Sequence, residues 1–433
     1  MTFVSLRGFR DYPPPEAGAR SELRRRMRAA ARRCGFVELE TPSVESLELF
    51  KAKSGEEIGE QLWTFTDKGG RAVALVAETT PSLARVFVDR AKSEPLPVKW
   101  FTISRLWRYE EPQAGRTREF TQFNLDVLGV EGPEADAEVL STAALVLDEC
   151  GAAGLYRFRV NDRGLAEGIG AALGATDLPK FFRVLDRFRK RTGAEFDREL
   201  AGTGVGADGR QRLTELLGES GAGIPAASLG ATLDRFLSWP IAEPGPTGAA
   251  RLRALFGLLE RTGLADRTVF DPSLVRGLAY YSSTVFEAFD LSGEYRSLFG
   301  GGRYDQLVEL LGGPPTPAVG LAIGDQTLEL LLRPNGRMPE GEPPLDTYVV
   351  AVTPEQAPLA LDWVRRLRAA GRSADSDLLG RSMSRQMKEA ARRRARRAII
   401  LGPRELERGV VVERDLTTGD QRERAPDAVL APE

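Results

Sequence analysis

Apolar residues recur at helical spacing at Leu23, Met27, Ala30 or Ala31, and Cys34, with arginines on the opposite side. This predicts a helix over Glu16–Cys34, stopped by Gly35. Phe36–Pro42 then alternates like a strand that halts at proline. Gly69 and Gly70 punctuate a hairpin whose return strand is Ala72–Val76, and Pro81–Ala91 reads as a helix with Leu83, Val86 and Phe87 on one face. Strand Lys99–Ser104 leads into a second hairpin. From about residue 162 to about residue 266 leucine-rich helical stretches, such as Leu178–Arg191 and Arg210–Leu217, alternate with Gly/Pro/Ala joints, which predicts a helical insertion. Strand patterning returns at Val269–Tyr281 and Val285–Phe289. Residues 334–345 read as a Pro/Gly linker. Beyond them the order is βαβ-like: strand Thr347–Val352, helix Gln356–Ala370, basic helix Ser382–Arg397, strand Ala398–Leu401, and a closing hairpin with Val410–Glu413 before a turn at Thr418–Asp420. The expected organisation is a first domain over 1–333, the linker, and a small α/β domain over 346–433.

The second hairpin, Trp107–Val127, carries the densest chemistry. Arg108 and Glu110 are two apart on the outgoing strand and share a side. On the return strand Phe120, Gln122, Asn124 and Asp126 share one side, and Phe123, Leu125 and Val127 take the other. A face of Arg, Glu, Gln, Asn and Asp with one aromatic ring is poor core, because each buried polar group needs a partner. It suits a small zwitterion held beside a nucleotide.

Composition narrows the chemistry. The chain has 433 residues, enough for two or three domains, and a net charge of −2, so nucleic acid would have to be met by local patches. Cys34 and Cys150 are far apart and lack CxxC spacing, which fits a reducing compartment. No apolar run is of transmembrane length, and the expected location is the cytoplasm. Histidine is absent altogether. That excludes Ser-His-Asp and Cys-His catalysis, imidazole acid–base work and His-ligated metal, and no protein-held metal site is expected. Chemistry run on positioned charges remains, as in phosphoryl or nucleotidyl transfer.

Further segments are polar or glycine-rich where core is expected. Glu78, in Ala77-Glu78-Thr79-Thr80, offers a carboxylate for an amino group, while Thr80 also suits a helix cap. Arg276 interrupts the apolar run Leu274–Tyr281, and a buried arginine there calls for an anion such as a substrate carboxylate or phosphate. Tyr280 and Tyr281 point to opposite faces. Gly300–Asp305 resembles a phosphate-cradling loop, although close packing of backbones explains its glycines equally well. Arg381, Arg385, Lys388, Arg392, Arg393, Arg394, Arg396 and Arg397, opposed locally only by Glu389, suggest a modest RNA footprint.

Taken in order, these segments resemble a class II aminoacyl-tRNA synthetase, most closely the histidyl-tRNA synthetases, from Arg7-Gly-Phe-Arg-Asp11 to the last strands. Gly35–Pro42 is similar to motif 1 and Trp107–Val127 to motif 2. Leu274-Val-Arg-Gly-Leu-Ala-Tyr-Tyr281 resembles the histidine-specific signature, and Gly300–Asp305 with Thr316–Gly320 the run into motif 3. Leu379–Gln386 and its surroundings resemble the anticodon-binding domain. The resemblance implies an α+β fold: an antiparallel catalytic sheet with flanking helices, the helical insertion, and a C-terminal anticodon-binding domain. It implies ATP as a substrate, Mg²⁺, histidine, tRNA(His) and a homodimer, with no membrane partner. Residue by residue, it implies that Glu78, Thr80 and Gln122 hold the α-amino group, while Asp126 and Tyr281, with Tyr280 beside it, meet the imidazole. Arg108 would bridge carboxylate and α-phosphate, Phe120 would stack on adenine, Glu110 would hold ATP and its Mg²⁺, Arg118 would add to the ATP site, and Arg276 would stabilise the attack.

The chain also departs from the family pattern. Gly324-Asp-Gln-Thr-Leu328 stands where motif 3 usually places Glu-Arg, leaving Thr327 at the arginine's position. Val76 and Glu111 replace common arginines, and Ala279 replaces an Asp. Some branches of the family share such changes. The alternative they raise is a catalytically inactive synthetase-like paralogue that senses histidine or binds tRNA.

Overall fold

The computed structural model describes residues 3–430, except 55–60, 114, 189–190, 192, 220–222, 276–280, 294, 296 and 342–343. The chain forms two compact units, Met1–Pro339 and Glu340–Glu433.

In the first unit helix α1 (Glu16–Arg33) leads to a short strand β1 (Val37–Glu38). A small sheet follows, ordered β2-β4-β3, from β2 (Val44–Ser46), β3 (Thr64–Thr66) and β4 (Ala72–Leu75), with α2 (Leu47–Ser54) after its first strand. Helix α3 (Thr80–Arg90) precedes β5 (Val98–Trp107), β6 (Glu119–Leu128) and α4 (Glu134–Glu149). Strand β7 (Tyr156–Asp162) opens a helical run of α5 (Arg163–Ala172), α6 (Leu178–Asp186), α7 (Gly193–Ala201) and α8 (Ala207–Glu219). The run continues through the short β8 (Ile224–Pro225), α9 (Ala226–Leu237) and α10 (Gly245–Arg261). Strands β9 (Thr268–Phe270), β10 (Thr284–Asp290) and β11 (Phe299–Arg303), then α11 (Leu307–Leu310), β12 (Ala318–Gly324) and α12 (Asp325–Leu332), complete the unit.

The large sheet runs β1-β5-β6-β12-β11-β10-β7-β9-β8. Only β1–β5 and β7–β9 pair in parallel among these described strands. One face is packed by α1 and α4. Leu23 and Met27 of α1 are buried there with Phe101, Phe123, Leu125, Val139 and Leu140, each such side chain stabilising the fold by about 1.5–3 kcal/mol. The other face holds a cleft.

The second unit has β13 (Thr347–Ala351), α13 (Ala357–Ala369), β14 (Ala374–Ser376), α14 (Met383–Arg392) and β15 (Arg397–Leu401). It ends with α15 (Pro403–Glu407), β16 (Val411–Asp415), β17 (Gln421–Arg424) and α16 (Pro426–Leu430), the sheet running β14-β13-β15-β16-β17. Val349, Ile399 and Leu401 pack towards α13, and Tyr348, Val350 and Ile400 pack with Ala390 of α14, so both faces are filled.

Several local expectations are corrected. The strand at 36–42 shrinks to two residues, because only Val37 and Glu38 pair with β5. The strand expected over 269–281 ends at Phe270, and Asp271 turns the chain by accepting from the amide and hydroxyl of Ser273. Arg276 and Tyr280 lie outside the described residues. The glycines at 300–302 belong to a central strand and not to a phosphate loop. A Cβ at Gly301 would sit 2.2 Å from the Gly320 carbonyl oxygen and 2.6 Å from the Phe286 ring, so the backbones approach too closely for any side chain. Arg303, next in that strand, is buried and donates to Asp136 from Nε at 2.9 Å and Nη2 at 2.6 Å, and to the Val130 carbonyl at 2.9 Å. Burial pushes the Asp136 carboxyl up against the pull of Arg303. This arginine is structural, fastening the sheet to α4.

The basic run also reads differently in three dimensions. Arg381 pairs with Asp377, Arg394 with Glu340, and Arg397 with Asp346 at 3.1 Å and Glu413 at 3.3 Å. Asp377 precedes Arg381 by four residues and the other partners lie farther away in the chain, so counting Glu389 alone understated the opposing charge. Arg385, Lys388 and Arg396 make no ion pair with the described residues.

Candidate functional site

The cleft encloses about 630 Å³ on the open face of the large sheet. Its floor follows the register. Asn124 of β6 lies opposite Ala322 of β12, Ala322 opposite Gly300 of β11, Gly300 opposite Glu287 of β10, and Glu287 opposite Arg159 of β7. The middle of that row is small and the ends are polar. A hollow therefore forms where β11 and β12 withhold side chains.

Hairpin β5–β6 supplies one wall. Strand β5 ends at Trp107, so Arg108 and Glu110 lie just past it, yet both line the cleft. Arg108 Nε donates to the Ala77 carbonyl at 3.0 Å, and its guanidinium lies 5.3 Å from the Phe120 ring centre. Glu110 is 3.3 Å from Arg116 and 4.0 Å from Arg108. Glu78 and Thr80, at the start of α3, line the cleft with Phe120 and Gln122, and Glu78 and Gln122 are each 9% exposed. Asn124 also lines it, and its Oδ1 is buried without a hydrogen-bond partner among the described residues. A buried acceptor in that state calls for a ligand donor or a water.

Tyr281 and Tyr304 line the deeper part of the cleft, whereas Asp126 is buried behind it. The Tyr304 hydroxyl donates to Asp126 Oδ1 at 2.5 Å. Burial, reinforced by that carboxylate, pushes the Tyr304 phenol well up, so it stays protonated and oriented. Gly320 gives Asp126 room, since a Cβ there would lie 2.0 Å from Oδ1.

Arg118 does not line the cleft. Its Nε donates to the Glu110 carbonyl at 3.2 Å and its guanidinium lies 4.2 Å from the Tyr109 ring centre, which holds the hairpin loop from outside. Arg116 faces the cleft instead. Sequence reasoning missed Arg116 because alternation cannot be followed through a loop containing Gly115. It also missed Arg159, which lines the far end 3.2 Å from Asp271 and 4.2 Å from the Phe289 ring centre. Arg157 and Arg159 both alternate along β7, and nothing local distinguishes the cleft-facing one from an ordinary strand charge.

Opposite charges at separated positions, a flat aromatic wall and a small-residue floor match a zwitterion beside a nucleotide. The family model described as histidyl-tRNA synthetase matches residues 8–328, and the one described as anticodon binding domain matches residues 346–431. A histidine–tRNA ligase of Natronomonas pharaonis is 39% identical over 434 residues, covering 100% of this chain and 98% of that protein. One of Thermoplasma volcanium is 36% identical over 422 residues, covering 97% and 96%. Among solved structures, a histidyl-tRNA synthetase from a Nostoc species superposes with a TM-score of 0.85 at 24% identity, over 99% of this chain and 98% of that one. The apo enzyme of S. aureus superposes with a TM-score of 0.74 at 26% identity, over 99% of both chains.

The antiparallel sheet with its polar cleft, followed by an anticodon-binding unit, defines a class II aminoacyl-tRNA synthetase. Within that class, this chain belongs to the histidyl-tRNA synthetase family.

Proposed function

We propose that this chain is an active histidine–tRNA ligase, which activates histidine with ATP and transfers it to tRNA(His). The observation that carries this reading is the convergence of Glu78, Thr80, Arg108, Phe120 and Gln122 on one cleft with Tyr281 and Tyr304. Glu78, Thr80 and Gln122 receive the α-ammonium. Tyr281 and Tyr304 border the imidazole, with Asp126 fixing the Tyr304 hydroxyl and Tyr280 on the neighbouring segment. Phe120 stacks on adenine. A histidine carboxylate oxygen attacks the α-phosphorus, the bond to the β-phosphate bridging oxygen breaks, and pyrophosphate leaves. Arg108 offsets charge on the carboxylate and α-phosphate, and Arg276 is assigned the same task from the signature segment. Arg116 meets the outer phosphates, and Arg118 braces its loop. A terminal ribose hydroxyl of tRNA then attacks the acyl carbon and AMP leaves. No side-chain imidazole is required at any step.

Mg²⁺ fits Glu110, because this cation is usually held by one or two carboxylates together with phosphates and water. Among the described residues no group of three or more His, Cys, Asp or Glu is placed to hold a metal. When bound, the ion would neutralise the departing pyrophosphate. A homodimer is supported by the edge position of β1 and by the exposure of Val37, Phe3, Val4 and Leu6 near the start of the chain. No helix of the described residues is long and apolar enough to cross a membrane, and both cysteines are free, which agrees with a cytoplasmic location. Arg385, Lys388 and Arg396 are the cations offered to tRNA, and α5–α10 form the insertion in the catalytic domain.

Histidine-dependent ATP–pyrophosphate exchange tests the activity. Exchange with histidine, and not with other amino acids, is expected from pure protein with ATP and Mg²⁺. Histidine binding without exchange would favour the inactive paralogue.

A further inference from the structure

At the position where motif 3 of the family usually carries an arginine, Thr327 brings no charge to the cleft. Its hydroxyl is turned back on the backbone, 2.8 Å from the Leu298 carbonyl and 2.9 Å from the Gly324 carbonyl. Helix α12 instead grips the loop between β5 and β6. Gln326 Nε2 donates to Thr117 Oγ1, lies 3.3 Å from the Glu119 carbonyl and 3.4 Å from the Tyr12 hydroxyl, and is itself 9% exposed. Asp325 Oδ1 accepts from the Thr121 amide at 3.3 Å. Gly115, at φ +74°, lies so close to α12 that a Cβ there would be 2.7 Å from Leu330 Cδ1. The loop and the start of β6 therefore rest on the helix at 115, 117, 119 and 121.

The helix end is itself fastened. Arg20 of α1, 5% exposed, donates to Asp325 and, at 2.9 Å, to Glu329, with its guanidinium 3.8 Å from the Tyr12 ring centre. Burial pushes the Asp325 carboxyl up and Arg20 pulls it back. Gripped from one side by Gln326 and Asp325, the loop presents Arg116 and Phe120 to the cleft. A free loop would be ordered at the moment of binding, at a cost to affinity, and a preset one avoids that cost.

We infer that Gln326 is a positioning residue for ATP. By holding Thr117 and Glu119 it sets residues 115–120 in their nucleotide-binding arrangement, and so compensates for the cation absent at 327. The inference rests on the ligase reading, with Arg116 and Phe120 as the ATP contacts.

The test is histidine-dependent pyrophosphate exchange by the full chain, with Gln326→Ala, Gln326→Glu, Thr117→Ala and the double variant Gln326→Ala/Thr117→Ala. Glutamate keeps the size of the side chain but cannot donate to the Glu119 carbonyl, and it adds a negative charge beside Asp325. Gln326→Ala and Gln326→Glu should each raise KM for ATP about tenfold, while KM for histidine stays within about twofold. The double variant should be no worse than the worse single one, because both remove the same contact. An unchanged KM for ATP, an equal rise in both KM values, or multiplicative losses in the double variant would overturn the inference. Should Gln326→Ala fail to fold, Gln326→Glu and Thr117→Ala decide it. A wild-type chain with no exchange overturns the ligase reading and this inference with it. Wild-type exchange with unresponsive variants sinks the positioning role alone.

Discussion

The large sheet of the first unit and the sheet of the second differ most in their central strands. In the second unit β13 and β15 bury apolar side chains on both faces, from Tyr348, Val349 and Val350 to Ile399, Ile400 and Leu401. In the first unit β11 and β12 carry Gly300, Gly301, Gly302, Gly320, Ala322 and Gly324. One sheet is filled on both faces. The other is hollow on one face, where the cleft lies. Charges pair in both units, but differently: in the cleft Glu110 lies beside Arg108 and Arg116, and Arg159 beside Asp271, all on its lining, whereas those of the second unit largely pair across exposed surfaces, where each pair is worth about 0–1 kcal/mol.

The sharpest way to break this contrast is at the cleft wall. Arg108→Ala should cut pyrophosphate exchange about 10²–10³-fold, as expected when a donor to developing charge is removed. An effect below about threefold, measured in kcat/KM, would place Arg108 outside the reacting centre. Next comes the floor. Gly301→Ala puts a methyl against a backbone carbonyl and should cost about 3 kcal/mol, whereas Ile399→Val in the filled sheet should cost about 1 kcal/mol. Thermal unfolding of the two variants compares them, and equal losses would remove the distinction between hollow and filled. Smaller still, Lys388→Ala should weaken tRNA binding by several-fold and lower its salt dependence by about one unit of slope, read from binding titrations at several salt concentrations.

The smallest effect concerns a surface charge. Arg25, with Arg26, holds the Glu22 carboxyl down to about 2, from an ordinary value of 4.5. Its folded value lies below its unfolded one, so the stabilisation it carries is complete above pH 4.5 and is lost as pH falls towards 2. Glu22→Gln should therefore flatten part of the fall in Tm across that window and leave the shape above it unchanged.

Much of the cleft was legible in the chain because hairpins and amphipathic helices are local. The stripe of Leu23 and Met27 survives in the structure as burial, and the alternation along β6 survives not in burial, which is continuous from Gln122 to Leu128, but in surroundings: Phe120, Gln122 and Asn124 line the cleft while Phe123, Leu125 and Val127 join the core. Where alternation stopped, legibility stopped. Arg116 in the cleft and Arg118 behind it are two residues apart, and only the turn of the loop separates their surroundings. Arg303 looked like part of a phosphate loop and turned out to fasten β11 to Asp136, 167 positions earlier. Arg20 was one arginine among many on a helix, and its partners Asp325 and Glu329 are 305 and 309 positions away.

By itself the sequence determined the amphipathic helices such as α1, the polar face of the hairpin and the exclusion of imidazole chemistry, because residue spacing and residue identity are sufficient for these. Only the tertiary structure decided which arginines serve the cleft and which serve the frame, and that Gln326 and Asp325 meet the loop. A charge takes its role from the groups that surround it, and those groups come from strands and helices that folding alone brings together.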